Sequence, residues 1–144
     1  MPKAFDWNRD VSYDAARKAS FHATARARLR ALAVALGLPS GSYDIRSNQG
    51  GIAVSGEVTL HGESLYVQAG QGCGSPCLLI RSCKGRRDYV GGPNGFLPLS
   101  LLNDVPLLAR TIRANRLAST PYALRATCND REAFARALVP RLLP

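Results

Sequence analysis

Apolar and polar residues alternate from Tyr43 to Ala69, and this pattern limits the possible folds of the chain more than any other feature. Alternation is the period of a half-buried β-strand, because successive side chains point to opposite faces of a sheet. Turn-forming residues interrupt the alternation at 48–51 and at 61–62. We therefore predict three antiparallel strands joined by short hairpin loops. Their predicted ranges are 43–47, 52–60 and 63–69.

A two-residue loop at 61–62 predicts a register in which Leu60 lies opposite Glu63. This register gives the sheet one apolar face, which consists of Val54, Val58, Leu65, Val67 and Ala69. The opposite face is polar and carries a single aromatic residue, Tyr66. Sheets that bind single-stranded RNA usually display two or three aromatic residues on the open face. We therefore expect this face to be solvated or partly covered by the C-terminal segment.

Helical patterns flank the predicted strands. Apolar residues recur every three or four positions within 12–36, which predicts a long first helix with Ser12 as its N-cap. The apolar run 77–83 predicts a fourth strand with both faces covered. A short turn at 99–103 and a helix at about 104–116 follow, and Asn103 or Asp104 is predicted to cap that helix.

The remainder of the pattern completes an α+β fold. Residues 122–127 are a candidate fifth strand at the sheet edge, and 128–144 predict a C-terminal helix and tail. We therefore expect an N-terminal helix, an antiparallel sheet of four or five strands and two C-terminal helices. A chain of 144 residues is expected to form one domain, 1–144. We expect residues 1–11 to form a lead-in, which Phe5 and Trp7 tether to the domain.

The order of helix, strands and helix is similar to that of the double-stranded RNA-binding domain. The resemblance is one of topology. A domain of that kind would carry cations at the start of its last helix, whereas residues 99–105 of this chain carry none. No residue of that family is therefore carried over to this sequence.

The net charge of +9 is unevenly distributed along the chain. Residues 41–80 contain one cation and three acids, whereas residues 81–98 contain four cations and one acid. A cationic surface attracts nucleic acid or an acidic protein surface. The alternative interpretation is that the charge serves only solubility.

The basic, glycine-rich loop predicted at 84–98 is the main candidate for binding. It offers cations for phosphate groups, one ring for stacking, and backbone N–H groups at several glycines. Arginines of the second helix are expected to support it. The predicted binding residues are Arg81, Lys84, Arg86, Arg87, Tyr89, Asn94, Arg110 and Arg113. The alternative interpretation is a solvated turn followed by a long connection.

The cysteines provide no standard metal motif. Zinc sites usually contain a CxxC pair, and this chain has none. We therefore predict no metal and no other cofactor, with Cys73, Cys77, Cys83 and Cys128 as a less favoured zinc set. The N-terminus lacks the apolar run of a secretory signal, and no run of eighteen apolar residues occurs. We expect a cytoplasmic protein with reduced cysteines and no membrane partner.

Motifs for nucleotide hydrolysis and for paired catalytic carboxylates are also absent from the sequence, so we do not expect an enzyme. The leading hypothesis is a small nucleic-acid-binding protein. The alternative is an accessory factor of a phage or mobile element that binds a protein or a nucleoprotein complex, such as an inhibitor of restriction or CRISPR machinery. Small, arginine-rich chains without motifs resemble such factors in kind. The candidate anchors for a protein partner are Trp7, Tyr66, Tyr89 and Phe96.

Overall fold

A computed structural model describes residues 4–72 and 77–117 of the chain. These residues form an α+β fold with an N-terminal helix, a five-stranded antiparallel sheet and a C-terminal helix. The elements are α1 (Ala15–Ala35), β1 (Asp44–Asn48), β2 (Glu57–His61), β3 (Leu65–Gly70), β4 (Cys77–Ser82), β5 (Gly95–Pro98), a 3₁₀-helix (Leu99–Asn103) and α2 (Val105–Leu117). The strand predicted at 122–127 and the helix and tail predicted at 128–144 lie outside the described residues.

The five strands form a meander in which each strand pairs with its neighbours in sequence. The predicted register of β2 and β3 is wrong, because Leu60 lies opposite Val67 and not opposite Glu63. Pairing ends with His61 opposite Tyr66, and the amide of Gly62 donates to the carbonyl of Leu65 at 2.8 Å. The observed register differs from the predicted register by four positions. Because four is an even number, most residues keep the predicted face of the sheet.

The segment before β2 was predicted as strand but forms a loop, which includes residues 49–56. Gly56 has a φ of +67°, and a Cβ at this position would lie 2.2 Å from the carbonyl oxygen of Asn48. Two side chains of α1 also bind carbonyl groups of this loop. The Lys18 ammonium donates to Gly51 at 2.8 Å, and His22 Nε2 donates to Ser55 at 2.7 Å. Backbone groups held in this way are unavailable for strand pairing.

The fifth strand of the described sheet lies inside the loop predicted at 84–98. Leu97 of β5 pairs with Leu78 of β4, and both side chains are fully buried. β5 is an edge strand, where the missing N–H of Pro98 is tolerated. The connection between β4 and β5 is therefore shorter than predicted. We refer to residues 83–94 as the basic loop.

α1 packs against β1 and β2 on one face of the sheet, and α2 packs against α1 and contributes to the same core. α1 begins at an N-cap formed by Asp14, not Ser12, because the Asp14 carboxylate accepts a hydrogen bond from the amide of Arg17 at 3.1 Å. Asp104 caps α2 through the amide of Leu107 at 3.2 Å. The buried core residues include Phe21, Leu29, Leu32, Leu60, Val67, Leu78, Ile80, Leu97, Leu108 and Ile112. Strand residues between these positions point to the other face, which we call the open face. Neither described helix has the length and apolar character needed to cross a membrane.

The N-terminal lead-in is fixed to the 3₁₀-helix by Trp7 and Asn103. The indole N–H of Trp7 donates to Asn103 Oδ1 at 2.9 Å, and the amide of Phe5 donates to the same oxygen at 3.0 Å. Asn103 Nδ2 donates in return to the carbonyl of Phe5 at 3.0 Å. The Trp7 ring is buried and lies edge-on to Phe21. This confirms the predicted tether, and it removes Trp7 from the candidate anchors for a partner.

Candidate functional site

The basic loop lies against the open face of the sheet, on the side opposite the helices. The ring of Tyr89, in the loop, lies 5.3 Å from that of His61, in β2. His61 Nε2 donates to the carbonyl of Gly85 at 3.0 Å. The amide of Gly92 donates to the carbonyl of Ser82, at the end of β4, at 2.9 Å. The sheet therefore supports both the side chains and the backbone of the loop.

Asp88 organises the backbone of the loop. Its carboxylate accepts hydrogen bonds from the amides of Lys84 at 2.9 Å, Gly91 at 3.0 Å and Val90 at 3.1 Å. The N–H groups of Gly91 and Lys84 favour the ionised form and so lower the pKa of Asp88 below its ordinary value. An aspartate followed by glycines is typical of such a turn. This signal is present in the sequence, but the role of Asp88 was not predicted from it.

Five side chains form a mixed aromatic and cationic cluster beneath the loop, which we call the ring cluster. Its members are Arg46, His61, Tyr66, Arg81 and Tyr89. The His61 ring lies edge-on to Tyr66 at 5.0 Å and edge-on to Tyr89. The guanidinium carbon of Arg81 lies 4.2 Å from the ring centre of Tyr66, and that of Arg46 lies 5.4 Å from the ring centre of Tyr89. Each tyrosine is therefore positioned by a cation and by the same imidazole.

The hydrogen bonds of His61 fix its tautomer. Its Nδ1 lies 2.7 Å from a guanidinium nitrogen of Arg46, which can only donate, so Nδ1 accepts. Nε2 therefore carries the hydrogen that is donated to Gly85. His61 is fully buried and links β1 to the basic loop through these two bonds. No motif in the sequence indicates this role.

Two of the predicted binding cations stabilise the loop itself. Arg81 donates to the carbonyl of Tyr89 at 2.8 Å and to the Asn94 side chain at 3.4 Å. Arg86 lies 3.1 Å from the carboxylate of Glu63 and 3.6 Å from that of Asp44. It also donates to the carbonyl of Gly41 at 3.0 Å. Both terminal nitrogens of Arg81 are engaged and its Nε is buried, while the guanidinium of Arg86 is paired with two carboxylates, so both residues are poorly placed to bind a ligand.

Three other residues of the loop remain available for binding. Lys84 and Arg87 are exposed, and their side chains make no hydrogen bond or ion pair with any described residue. Tyr89 is 59% exposed although its ring contacts other members of the ring cluster. Tyr66, by contrast, is only 8% exposed. Of the two tyrosines in the ring cluster, Tyr89 is therefore the one available to a ligand.

The predicted residues of α2 lie in the other layer of the molecule. Arg113 donates to the carbonyl of Ala35 at 2.6 Å, near the C-terminal end of α1, where a cation also suits the helix dipole. Arg110 is exposed on the same helix. The structure thus separates Arg110 and Arg113 from the basic loop, and we exclude them from the candidate site.

A groove of about 400 Å³ lies on the open face, outside the ring cluster. Its walls include Asn48, Val54, Glu57, Gln68, Leu79 and Phe96. The hydroxyl of Tyr66 donates to Gln68 Oε1 at 2.9 Å, so the groove directly adjoins the ring cluster. This face was expected to be solvated or partly covered by the C-terminal segment. The groove was not predicted, because the loop that contributes Val54 and the strand that carries Phe96 were both assigned incorrectly.

The described cysteines do not form a metal site. Cys77 is disulfide-bonded, contrary to the expectation of reduced cysteines, and Cys83 is free and buried, with its thiol 3.3 Å from the carbonyl of Gly62. Within residues 4–72 and 77–117, no three His, Cys, Asp or Glu side chains are grouped as metal binding requires. Cys73 and Cys128 lie outside the described residues. Disulfides are rare in reducing compartments such as the cytoplasm. Because of the disulfide at Cys77, the cytoplasmic location stays a prediction.

Comparison of the chain with protein-family models, with curated protein sequences and with solved structures finds no match.

Proposed function

We propose that this protein binds nucleic acid through the basic loop and has no catalytic role. The observation that carries the proposal is the exposed ring of Tyr89, held in place on the same loop as the exposed cations Lys84 and Arg87. Cations that contact phosphates, combined with a ring that stacks on bases, are the shared features of proteins that bind single strands. The net charge of +9 favours the same class of ligand.

The loop is organised before any ligand arrives. Asp88 holds three of its amides, and Arg81 holds the carbonyl of Tyr89 from below. His61 lies against one edge of the Tyr89 ring, with Arg46 nearby. A ring that is already fixed loses little conformational freedom on binding, so more of the stacking energy contributes to affinity.

The proposal predicts a salt dependence that can be assigned to two residues. Each phosphate contact releases counterions, so removing two of them makes the slope of log K against log salt shallower by about two. We expect this change for the double variant Lys84→Ala, Arg87→Ala in a titration of labelled single-stranded DNA and RNA at several salt concentrations. Arg86 is not part of this variant because its guanidinium is paired with Glu63 and Asp44.

The double variant Arg30→Ala, Arg110→Ala is the matched control, because it removes the same charge from exposed positions on the helices. It should leave the slope close to that of the wild type. An equal change in both double variants would show that net charge, and not the basic loop, sets the affinity. Absence of binding to every DNA and RNA form at low salt would disprove the proposed function.

A second candidate function, binding to a protein or a nucleoprotein complex, rests on a different surface. Tyr13, Ile52 and Val54 are 72%, 67% and 50% exposed, and the amide of Tyr13 donates to the carbonyl of Ile52 at 2.8 Å. Clustered exposed apolar residues are typical of interaction surfaces. Under this alternative, Ile52→Asp abolishes recovery of a complex that resists nuclease, whereas Lys84→Ala, Arg87→Ala does not.

A further inference from the structure

We propose that the open-face groove binds an unpaired nucleobase that carries an exocyclic amino group. This inference rests on the proposed function and specifies the ligand more closely. The basic loop would supply phosphate contacts and one stacking ring, while the groove would select the base. Three features of the groove support this assignment, namely its size, its apolar wall and the hydrogen-bonding groups of Glu57 and Gln68.

The groove has the dimensions and surface of a small-ligand site. Its volume of about 400 Å³ lies in the range typical of such sites. Leu79 and Phe96 are partly exposed side chains on neighbouring strands of the open face, and Val54 closes the groove from the loop before β2. A partly exposed phenylalanine beside aliphatic side chains is a surface on which a flat ring stacks.

The polar groups of the groove offer an acceptor next to a donor. Asn48 Nδ2 donates to Oε1 of Glu57 at 3.3 Å, and no described cation is paired with this carboxylate. The Oε1 atom of Gln68 is engaged by the hydroxyl of Tyr66, while its amide nitrogen makes no hydrogen bond with the described residues. Glu57 lies opposite Gly70 and Gln68 lies opposite Thr59, so the two side chains are diagonal neighbours on adjacent strands.

This arrangement favours some bases over others. A carboxylate accepts hydrogen bonds and cannot donate them, so Glu57 pairs with an exocyclic amino group. Cytosine, adenine and guanine have such a group, whereas thymine and uracil do not. The Gln68 amide can then donate to a ring nitrogen or carbonyl oxygen of the same base. Because the carboxylate also repels phosphate, a base is favoured in the groove over the sugar–phosphate backbone.

The groove is continuous with the proposed binding loop. Tyr66 belongs to the ring cluster and binds Gln68 in the groove. Both residues are on β3, two positions apart and on the same face. A strand whose first base stacks on Tyr89 can therefore continue along the open face toward Phe96.

The test compares two pyrimidine oligonucleotides that differ in the amino group. Fluorescence anisotropy with labelled dC12 and dT12 should show dC12 bound about tenfold more tightly by the wild type, in line with the discrimination expected from one base-specific pair. Glu57→Gln should reduce this preference to less than about twofold, because the amide competes as a donor and forms a weaker acceptor. Asp6→Asn removes the same charge from the exposed lead-in and should keep the wild-type preference.

A second variant keeps the test decisive if Glu57→Gln does not fold. Gln68→Met keeps a side chain of similar length but removes the amide donor, so it should also reduce the preference for dC12. Thermal unfolding of each variant verifies that the fold is retained. Equal binding of dC12 and dT12 by the wild type, or an undiminished preference in folded Glu57→Gln, overturns the base-selecting groove and leaves the proposed function standing. Failure to bind either oligonucleotide at low salt overturns the base-selecting groove, and absence of binding to every DNA and RNA form overturns the proposed function as well.

Discussion

Gly91 shows how one missing side chain allows the basic loop to lie on the sheet. Its φ is +62°, which strains any residue with a side chain. A Cβ at this position would also lie 2.7 Å from the carbonyl oxygen of Ser82 and 2.9 Å from Cδ of Arg81. The loop can therefore pass directly over Arg81 only because residue 91 is glycine.

Replacement of Gly91 by alanine is predicted to destabilise the protein. We expect a loss of about 1–3 kcal/mol in the free energy of unfolding, since both backbone strain and a steric clash are introduced. Urea unfolding followed by circular dichroism measures this loss. Gly51→Ala is the matched control, because no atom lies within 4 Å of a Cβ at that position. If the two variants were equally stable, the close approach at Gly91 would be of no energetic consequence.

The basic loop as an element depends on the ionised carboxylate of Asp88. Hydrogen bonds from the amides of Gly91 and Lys84 lower the pKa of Asp88 below the ordinary value of 3.8. A lowered pKa in the folded state means that the loop is stabilised by the carboxylate form. That contribution is complete above pH 3.8 and is lost as the pH falls below it, through the folded pKa.

Acidification below pH 3.8 is therefore predicted to release the loop amides. NMR titration should show the amide resonances of Lys84 and Gly91 moving together with the protonation of Asp88. In the variant Asp88→Asn, which cannot ionise, these acid shifts should be absent. Persistence of the same shifts in Asp88→Asn would mean that another group controls the loop.

The elements differ in how well the sequence predicts them. The first helix and β4 follow from local periodicity, and both were predicted to within a few residues of their observed bounds. The predicted start of β2 was wrong because Lys18 and His22, on a helix distant in sequence, bind the carbonyl groups that precede the strand. β5 was missed because four residues ending in Pro98 carry little strand signal on their own. Local patterns therefore fail where contacts distant in sequence decide the structure.

At the scale of the whole molecule, the lead-in is joined to the helical layer through one asparagine. Asn103 Oδ1 accepts from the Trp7 indole and the Phe5 amide, and its Nδ2 donates to the Phe5 carbonyl. The Trp7 ring is buried, so loss of this partner leaves a donor without a hydrogen bond in an apolar environment.

Asn103→Ala is predicted to lower the free energy of unfolding by about 1–3 kcal/mol, which is the cost of leaving a buried polar group unpaired. Chemical denaturation measures this effect. Asn8→Ala is the control, because Asn8 is exposed and its side chain makes no hydrogen bond with the described residues. Equal stability of Asn103→Ala and the wild type would show that the hydrogen bonds of Asn103 to the lead-in contribute nothing to the stability of the fold.

The α+β class of the molecule and the position of the basic loop were predictable from the sequence. Which cations of the loop are paired within the protein, and which are unpaired, was not. Composition alone cannot separate Arg86, which is paired with Glu63 and Asp44, from the unpaired Arg87. Glu63 and Asp44 lie more than twenty residues from Arg86 in sequence, and only the meander of the sheet brings them close to it. The groove was likewise unpredictable, because it depends on the observed position of β5.

The tether between Trp7 and Asn103 also constrains the order of folding. The lead-in and its partner are separated by 96 positions at Trp7, whereas each strand of the meander pairs with its sequence neighbour. Closing a long loop costs more entropy than closing a short hairpin, so we expect the lead-in to dock last. During synthesis, the ring of Trp7 lacks its partner until residue 103 has been added. Trp7 is the only tryptophan of the chain, and its fluorescence therefore provides an intrinsic probe of this final step.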